Sequence, residues 1–172
     1  IDQAKAMHKA ITEISQLVHT PLAIDTSDVK ALEAGLKAYP GRALINSVSA
    51  EPDRLKYFIP LAKRYGAAIL CLPLSDEGIP KTAKERLALA QKIIAEAKAQ
   101  GLKDNDFLLD ALVMTIAADK NASNELLNTL KLYREHIGAP STMGLSNISF
   151  GLPNRPLINS TFFTMCLAMG LD

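Results

Sequence analysis

The sequence predicts a parallel α/β fold, either a (β/α)8 TIM barrel of which about five strands are present or an open sheet with the same connectivity. Three observations carry this prediction. Short apolar runs alternate with longer amphipathic ones at a spacing of roughly 25–40 residues, the pattern of parallel strands joined by helical crossovers. The amphipathic runs end at glycine, as helices commonly do. The apolar runs give way to small polar residues, which places Asp, Asn and Ser where strands stop and loops begin.

The elements follow in order. Residues 1–18 carry Ala6, Ala10, Ile14, Leu17 and Val18 near a 3.6-residue period and predict a helix. Residues 21–24 form a short buried strand, after which Ser27 or Asp28 caps a helix that runs to Ala38 and closes at Pro40-Gly41. Residues 43–45 give the second strand. Glu51-Pro52-Asp53 opens a helix that reaches Tyr65 and stops at Gly66. Residues 67–72 are the most continuous apolar run, as expected of a strand covered on both faces. Thr82 and Glu85 have the spacing of a capping box ahead of a helix over 83–100 that ends at Gly101. A strand over 107–113, a helix over 123–137 ended by Gly138, and a strand over 142–145 follow. Arg155-Pro156 starts the last helix, which reaches Met169-Gly170.

Composition narrows the classes of function. The chain has 172 residues, 48% of them hydrophobic and 22% charged, enough for one globular domain with its own core. Lys and Arg number 19 against 18 Asp and Glu, for a formal net charge of +1. They are interspersed rather than gathered into a stripe, which argues against nucleic acid as a partner. No apolar run approaches the ~20 residues that cross a bilayer, and residues 1–19 do not read as a signal peptide. Cys71 and Cys166 sit in apolar contexts without metal-ligand spacing and read as buried free thiols in a reducing cytoplasm. His8, His19 and His136 are dispersed, so no metal site is expected.

The chemistry concentrates at the strand ends. Asp25 lies in Ile24-Asp25-Thr26-Ser27, Asn46 in Ile45-Asn46-Ser47-Val48-Ser49, Asp110 closes an apolar run, and Asn147 follows the last strand. Each alone fits a helix cap or a loop-closing residue. Four of them in step with the apolar runs fit better with one ligand site, because the carboxyl ends of parallel strands share a face. Two carboxylates and two amides there suit a flat, nitrogen-rich ring. There is no Gly-x-Gly-x-x-Gly after the first strand and no Walker sequence, so a nucleotide-binding sheet has little support.

The most specific stretch is residues 144–159, Gly-Leu-Ser-Asn-Ile-Ser-Phe-Gly-Leu-Pro-Asn-Arg-Pro-Leu-Ile-Asn. With its continuation through Thr161-Phe162 to Gly170-Leu171-Asp172, it resembles the pterin-binding domain of cobalamin-dependent methionine synthase. It is similar also to the methyltetrahydrofolate:corrinoid iron–sulfur protein methyltransferases. Ile24-Asp-Thr-Ser, Leu44-Ile-Asn-Ser-Val-Ser and Gly78-Ile-Pro-Lys-Thr agree with the same family in the same order, so the likeness spans nearly the whole chain.

The resemblance implies a (β/α)8 barrel of the dihydropteroate synthase-like, pterin-binding type. It implies binding of methyltetrahydrofolate and transfer of its methyl group to a cob(I)alamin held by a corrinoid domain or corrinoid protein. On matching positions Asp25, Asn46 and Asp110 would bond the pterin ring, and Asn147 would stand beside the methyl-bearing nitrogen as the catalytic residue. Arg155 would either meet an anionic group of the cofactor or partner, or start the last helix. Asp110-Ala111 departs from the family's usual Asp-Pro, which keeps the carboxylate in a looser loop. The alternatives are a dihydropteroate synthase, disfavoured because residues 146–155 hold one arginine and no lysine, and a folate- or corrinoid-protein-binding module without catalysis. The family's barrel needs about 250 residues, so residues 1–172 are expected to be a partial barrel within a longer chain. A cytoplasmic location is expected, with a homodimer among the candidate assemblies.

Overall fold

The computed structural model describes residues 2–172 and shows a five-stranded parallel sheet in the order β1-β2-β3-β4-β5, with strands joined by helices. The strands are β1 (Ala23–Asp25), β2 (Leu44–Ser49), β3 (Ala68–Leu72), β4 (Phe107–Asp110) and β5 (Ser141–Thr142). The helices are α1 (Gln3–Leu17), α2 (Val29–Ala38), α3 (Pro52–Tyr65), α4 (Ala83–Ala99), α5 (Ala122–His136) and α6 (Arg155–Ala168). A 3₁₀ turn over Leu145–Ser149 lies between β5 and α6. No helix is long and apolar enough to cross a membrane among the described residues.

Of the two candidate caps for α2 it is Asp28 that accepts a backbone N–H bond, and Asp2 does the same, unpredicted, at the start of α1. Thr82 and Glu85 form both halves of the capping box on α4. Gly66 ends α3 with φ +66°, a left-handed turn that glycine reaches without a steric penalty. The first helix was expected from residue 1, which lies outside the described residues; the helix is seen from Gln3.

Three strand ends differ from expectation by three residues or more, each for a local reason, while β1 (Ala23–Asp25 against 21–24) and the start of β3 shift by one or two. β2 runs four residues further than Ile45, with a register shift against β3 between Ile45 and Val48. β4 stops at Asp110 instead of Val113, because the Asp110 carboxylate accepts the Leu112 N–H at 2.7 Å and Leu112 turns to φ 55°. β5 is only Ser141–Thr142, because Leu145 and the residues after it wind into the 3₁₀ turn instead of extending.

Strand parity organises the core. Ile24, Ile45, Ile69 and Leu109 are at most 1% exposed and point toward the helices, where they join Ile11, Leu32, Phe58, Ile59 and Ile93 in one cluster. Alternation then sends Asp25, Asn46 and Asp110 to the opposite face. A second cluster joins Ala111 and Val113 after β4 to Leu126 and Leu130 of α5, Ile148 of the 3₁₀ turn, and Phe162 and Cys166 of α6. It lies under the loops that carry Asp110 and Asn147. We expect Ile69→Ala, at the centre of the first cluster, to cost about 2–5 kcal/mol, read as a lower midpoint in urea unfolding with little change in slope.

Candidate active site at the carboxyl ends of the strands

The site is built in two halves. In the first, Asp25 and Asn46 are direct neighbours in the β1–β2 ladder, each the first polar residue after an apolar run in its strand. They line a pocket of about 140 Å³ together with Thr26, Ser27, Ser47, Ser49, Glu51, Arg54, Leu72 and Leu74. Its rim is stitched by a network the sequence did not announce. The Ser49 hydroxyl donates to Glu51 at 2.6 Å, Glu51 lies 3.8 Å from Arg54, and Arg54 donates to the Thr26 carbonyl at 3.4 Å while lying over the Phe58 ring. The loops after β1 and β2 are thereby joined. A larger cleft of about 520 Å³ adjoins this rim and shares Ser27, Glu51 and Arg54 with it.

The second half holds Asp110 and Asn147. Asp110 is the last residue of β4, paired in register with Thr142. One carboxylate oxygen accepts the Leu112 N–H, and the Asp110 carbonyl accepts the hydroxyl of buried Tyr133 at 3.3 Å. Burial raises the Asp110 carboxyl above its ordinary value of 3.8, partly opposed by the Leu112 bond. Burial also raises the Tyr133 hydroxyl, so it remains a donor at any ordinary pH. Asn147 is exposed on the 3₁₀ turn, with its neighbour Ile148 buried beside Ala111 in the second apolar cluster. The Ile116 N–H donates to the Ile148 carbonyl at 3.2 Å and the Thr115 hydroxyl to the Phe150 carbonyl at 2.8 Å. These bonds lock the Asp110 loop to the Asn147 loop.

Arg155 serves that same loop. Its Nε donates to the Ser149 hydroxyl at 3.0 Å and its Nη2 to the Ser146 carbonyl at 2.9 Å, so it closes the turn around Asn147 from the start of α6. Gly144 leaves room for the Asn147 amide: a Cβ there would sit 3.0 Å from Nδ2. Asp25 and Asn46 are thus neighbours at the ends of β1 and β2, Asp110 ends β4 on the same face of the sheet, and the loop after it is bonded to the turn that carries Asn147 and is braced by Arg155. β2 and β4 flank β3, a separation of about 10 Å at the usual strand spacing. Sequence reasoning missed Arg54, Tyr133 and Arg86, whose buried guanidinium donates to the carbonyls of Ala111 and Leu112 just after Asp110. Only Arg54 had a signal, its place just after the Glu51-Pro52 helix start. Among the described residues no group of three or more His, Cys, Asp or Glu could hold a metal ion.

A parallel sheet with helices between its strands, and with acceptors and amides at the strand ends, defines a ligand-binding α/β barrel sector. The chain belongs to the pterin binding enzyme family, whose model matches residues 1–172. It is 33% identical over 165 residues to a methionine synthase of Mycobacterium tuberculosis, covering 88% of this chain and 14% of that protein. It is 32% identical over 166 residues to a methylcorrinoid:tetrahydrofolate methyltransferase of Eubacterium limosum, covering 92% of this chain and 60% of that protein. The chain therefore spans about a seventh of the first and three fifths of the second. Among solved structures, a dihydropteroate synthase of Yersinia pestis superposes with a TM-score of 0.72 at 18% identity, covering 98% of this chain and 66% of that one. A 7,8-dihydropteroate synthase of Vibrio fischeri gives 0.68 at 22% identity, covering 95% of this chain and 65% of that one. These likenesses establish the fold, a partial TIM barrel.

Two outcomes follow from the geometry. Because burial disfavours the ionised Asp110, its contribution to stability is fully present below the ordinary carboxyl value of 3.8 and is lost as pH rises through the higher value it has in the folded chain. Asp110→Asn keeps an acceptor for Leu112 and removes the charge. Its stability relative to the parent should therefore rise between pH 4 and pH 7 in thermal melts; a pH-independent difference contradicts this account. Gly144→Ala should leave the melting temperature nearly unchanged, since only the end of a flexible side chain has to give. It should nevertheless displace the Asn147 amide, seen as a shifted side-chain resonance in NMR of the labelled protein.

Proposed function

We propose that this chain binds 5-methyltetrahydrofolate and transfers its N5 methyl group to a cob(I)alamin carried by a corrinoid domain or protein. The observation that carries this reading is the donor set at the strand ends: carboxylates at Asp25 and Asp110, side-chain amides at Asn46 and Asn147, and no lysine or histidine among them. A pterin edge presents N–H donors that carboxylates accept, beside atoms that an amide can both donate to and accept from. The identity of about a third to methyl-transfer enzymes over most of the chain supports the same reading.

In this proposal Asp25, Asn46 and Asp110 hold the ring, and Asn147 stands at the methyl-bearing nitrogen. That nitrogen leaves poorly unless it gains a proton or a strong hydrogen bond as the C–N bond breaks. The Asn147 amide donates a bond that strengthens as charge changes on the nitrogen, with water supplying the proton, and so favours the transition state over the ground state. Arg155 contributes by holding the turn that presents Asn147. The cob(I)alamin supplies the nucleophile from its own domain. The Eubacterium limosum relative is named for transfer in the opposite sense, from a methylcorrinoid to tetrahydrofolate. The same amide serves both senses, because a catalyst lowers one barrier for the forward and reverse reactions alike.

The fold neighbours keep a dihydropteroate synthase as the second reading. That reaction calls for a basic pocket around a diphosphate leaving group. The loop over 146–155 offers only Arg155, whose Nε and Nη2 are already committed to Ser149 and Ser146.

The test is spectrophotometric, on the full-length protein mixed with cob(I)alamin and methyltetrahydrofolate. Loss of the cob(I)alamin absorbance is expected, and folate binding without that loss favours a non-catalytic module. Asn147→Ala should lower the transfer rate about 10²–10³-fold, the range for a lost transition-state donor, with a much smaller loss of folate affinity. Equal losses in both would remove Asn147 from the catalytic role.

A further inference from the structure

Arg86 is the most deeply buried charged side chain of the chain's described residues, 2% exposed. It stands at the fourth position of α4, near the positive end of the helix dipole, where a cation is unfavourable. Burial depresses its affinity for its own proton, with Tyr133, Glu125, Asp119 and Glu85 supporting the charge from around it. No carboxylate lies within 4 Å of its side-chain nitrogens among the described residues. An isolated buried cation is costly, so its partners define what the fold gains.

Those partners are backbone carbonyls of two loops at the site. Nη1 donates to Ala111 and Leu112, each at 3.1 Å, and Nε donates to Pro80 at 3.4 Å. Ala111 and Leu112 immediately follow Asp110. Leu112 is held from both ends: its N–H is given to the Asp110 carboxylate and its carbonyl receives Arg86. Leu112 is also one of two non-glycine residues with positive φ among those described. A bulky residue in that conformation is strained and persists only where its surroundings over-determine it. Arg86 is such a surrounding. A lysine could not replace it, since only the planar guanidinium reaches two carbonyls of one loop and a third on another in fixed geometry.

We propose that Arg86 is a positioning residue for ligand recognition: by clamping the Ala111 and Leu112 carbonyls it aims the Asp110 carboxylate at the bound ring. The proposal rests on the folate-binding reading of Asp110 given above. Arg86 touches no ligand and acts only through the loop.

The test is a set of double-mutant cycles on the full-length protein, with methyltetrahydrofolate dissociation constants measured by calorimetry. Groups that orient a ligating side chain typically carry 10–100-fold in affinity, as seen at metal sites. Arg86→Met is expected to weaken folate binding by about tenfold or more in the parent. In an Asp110→Ala background the same change should weaken it by less than about threefold, because nothing is left to aim; in an Asp25→Ala background the full loss should persist. Should Arg86→Met not fold, Arg86→Lys carries the same cycles with a smaller loss. Equal losses in all three backgrounds, or an unchanged dissociation constant in the parent, overturn the positioning role while leaving the folate reading intact. A dissociation constant unaffected by Asp110→Ala overturns the folate reading of Asp110 itself, and the positioning role with it.

Discussion

Everything at the site depends on the parity of the strands. Ile24, Ile45, Ile69 and Leu109 must all face the helices, and each is followed or preceded by a residue that must then face the other way. A slip of one residue in any strand would bury a carboxylate or an amide among isoleucines and expose the apolar face. The hydrophobic effect therefore sets the orientation of Asp25, Asn46 and Asp110 without any contact of their own. The parallel register adds the second coordinate, because Asp25 lies opposite Asn46 and Asp110 opposite Thr142.

Parity places these side chains, but it does not hold them still. That task falls to interactions beyond the strand ends, and they are unfavourable when taken singly. Asp110 is a carboxylate in a half-buried position, Leu112 is left-handed, and Arg86 is a cation buried beside a helix N-terminus. Each becomes tolerable through the others: Leu112 gives its N–H to the aspartate, Arg86 takes its carbonyl, and Tyr133 bonds the Asp110 carbonyl. The second apolar cluster completes the arrangement by fixing Ala111 and Ile148 in one packed unit. The Asp110 loop and the Asn147 loop are thus tied to one another by hydrogen bonds and by shared packing.

What was legible in the sequence divides along the same line. Periodicity gave the order of strands and helices, and the caps at Asp28, Thr82 and Gly66 fell where side-chain chemistry put them, because both depend on neighbours close in sequence. The ends of β4 and β5 did not, because an aspartate bonding two residues ahead and a 3₁₀ turn after Gly144 compete with extension through geometry that an apolar run conceals. Arg86 was illegible for a stronger reason. In Thr-Ala-Lys-Glu-Arg it reads as one more charge on an exposed helix face, and the two partners that tie it to the Asp110 loop are 25 and 26 residues away. Asp25, Asn46, Asp110 and Asn147 could be nominated from the rhythm of strand ends; how they are grouped, two and two across β3, required the sheet order.

The division of the site into two halves also bears on which chemistry a shared fold can support. Dihydropteroate synthases superpose on this chain while sharing under a quarter of its residues, so the scaffold leaves the reaction open. A ring held by acceptors at strand ends is recognised by its edge, and that recognition is indifferent to which bond changes at the far end of the ring. The loop over 144–155 is where a difference can enter. Here Arg155 is folded back onto Ser146 and Ser149, so the group the loop presents outward is the neutral amide of Asn147. A neutral donor cannot neutralise a departing diphosphate, whereas it can strengthen its bond to a nitrogen whose charge grows during methyl transfer. The arginine's inward turn is thus the structural counterpart of the proposed chemistry. On that proposal it keeps a cation away from the reacting end of the site and spends its hydrogen bonds on the turn that carries one amide.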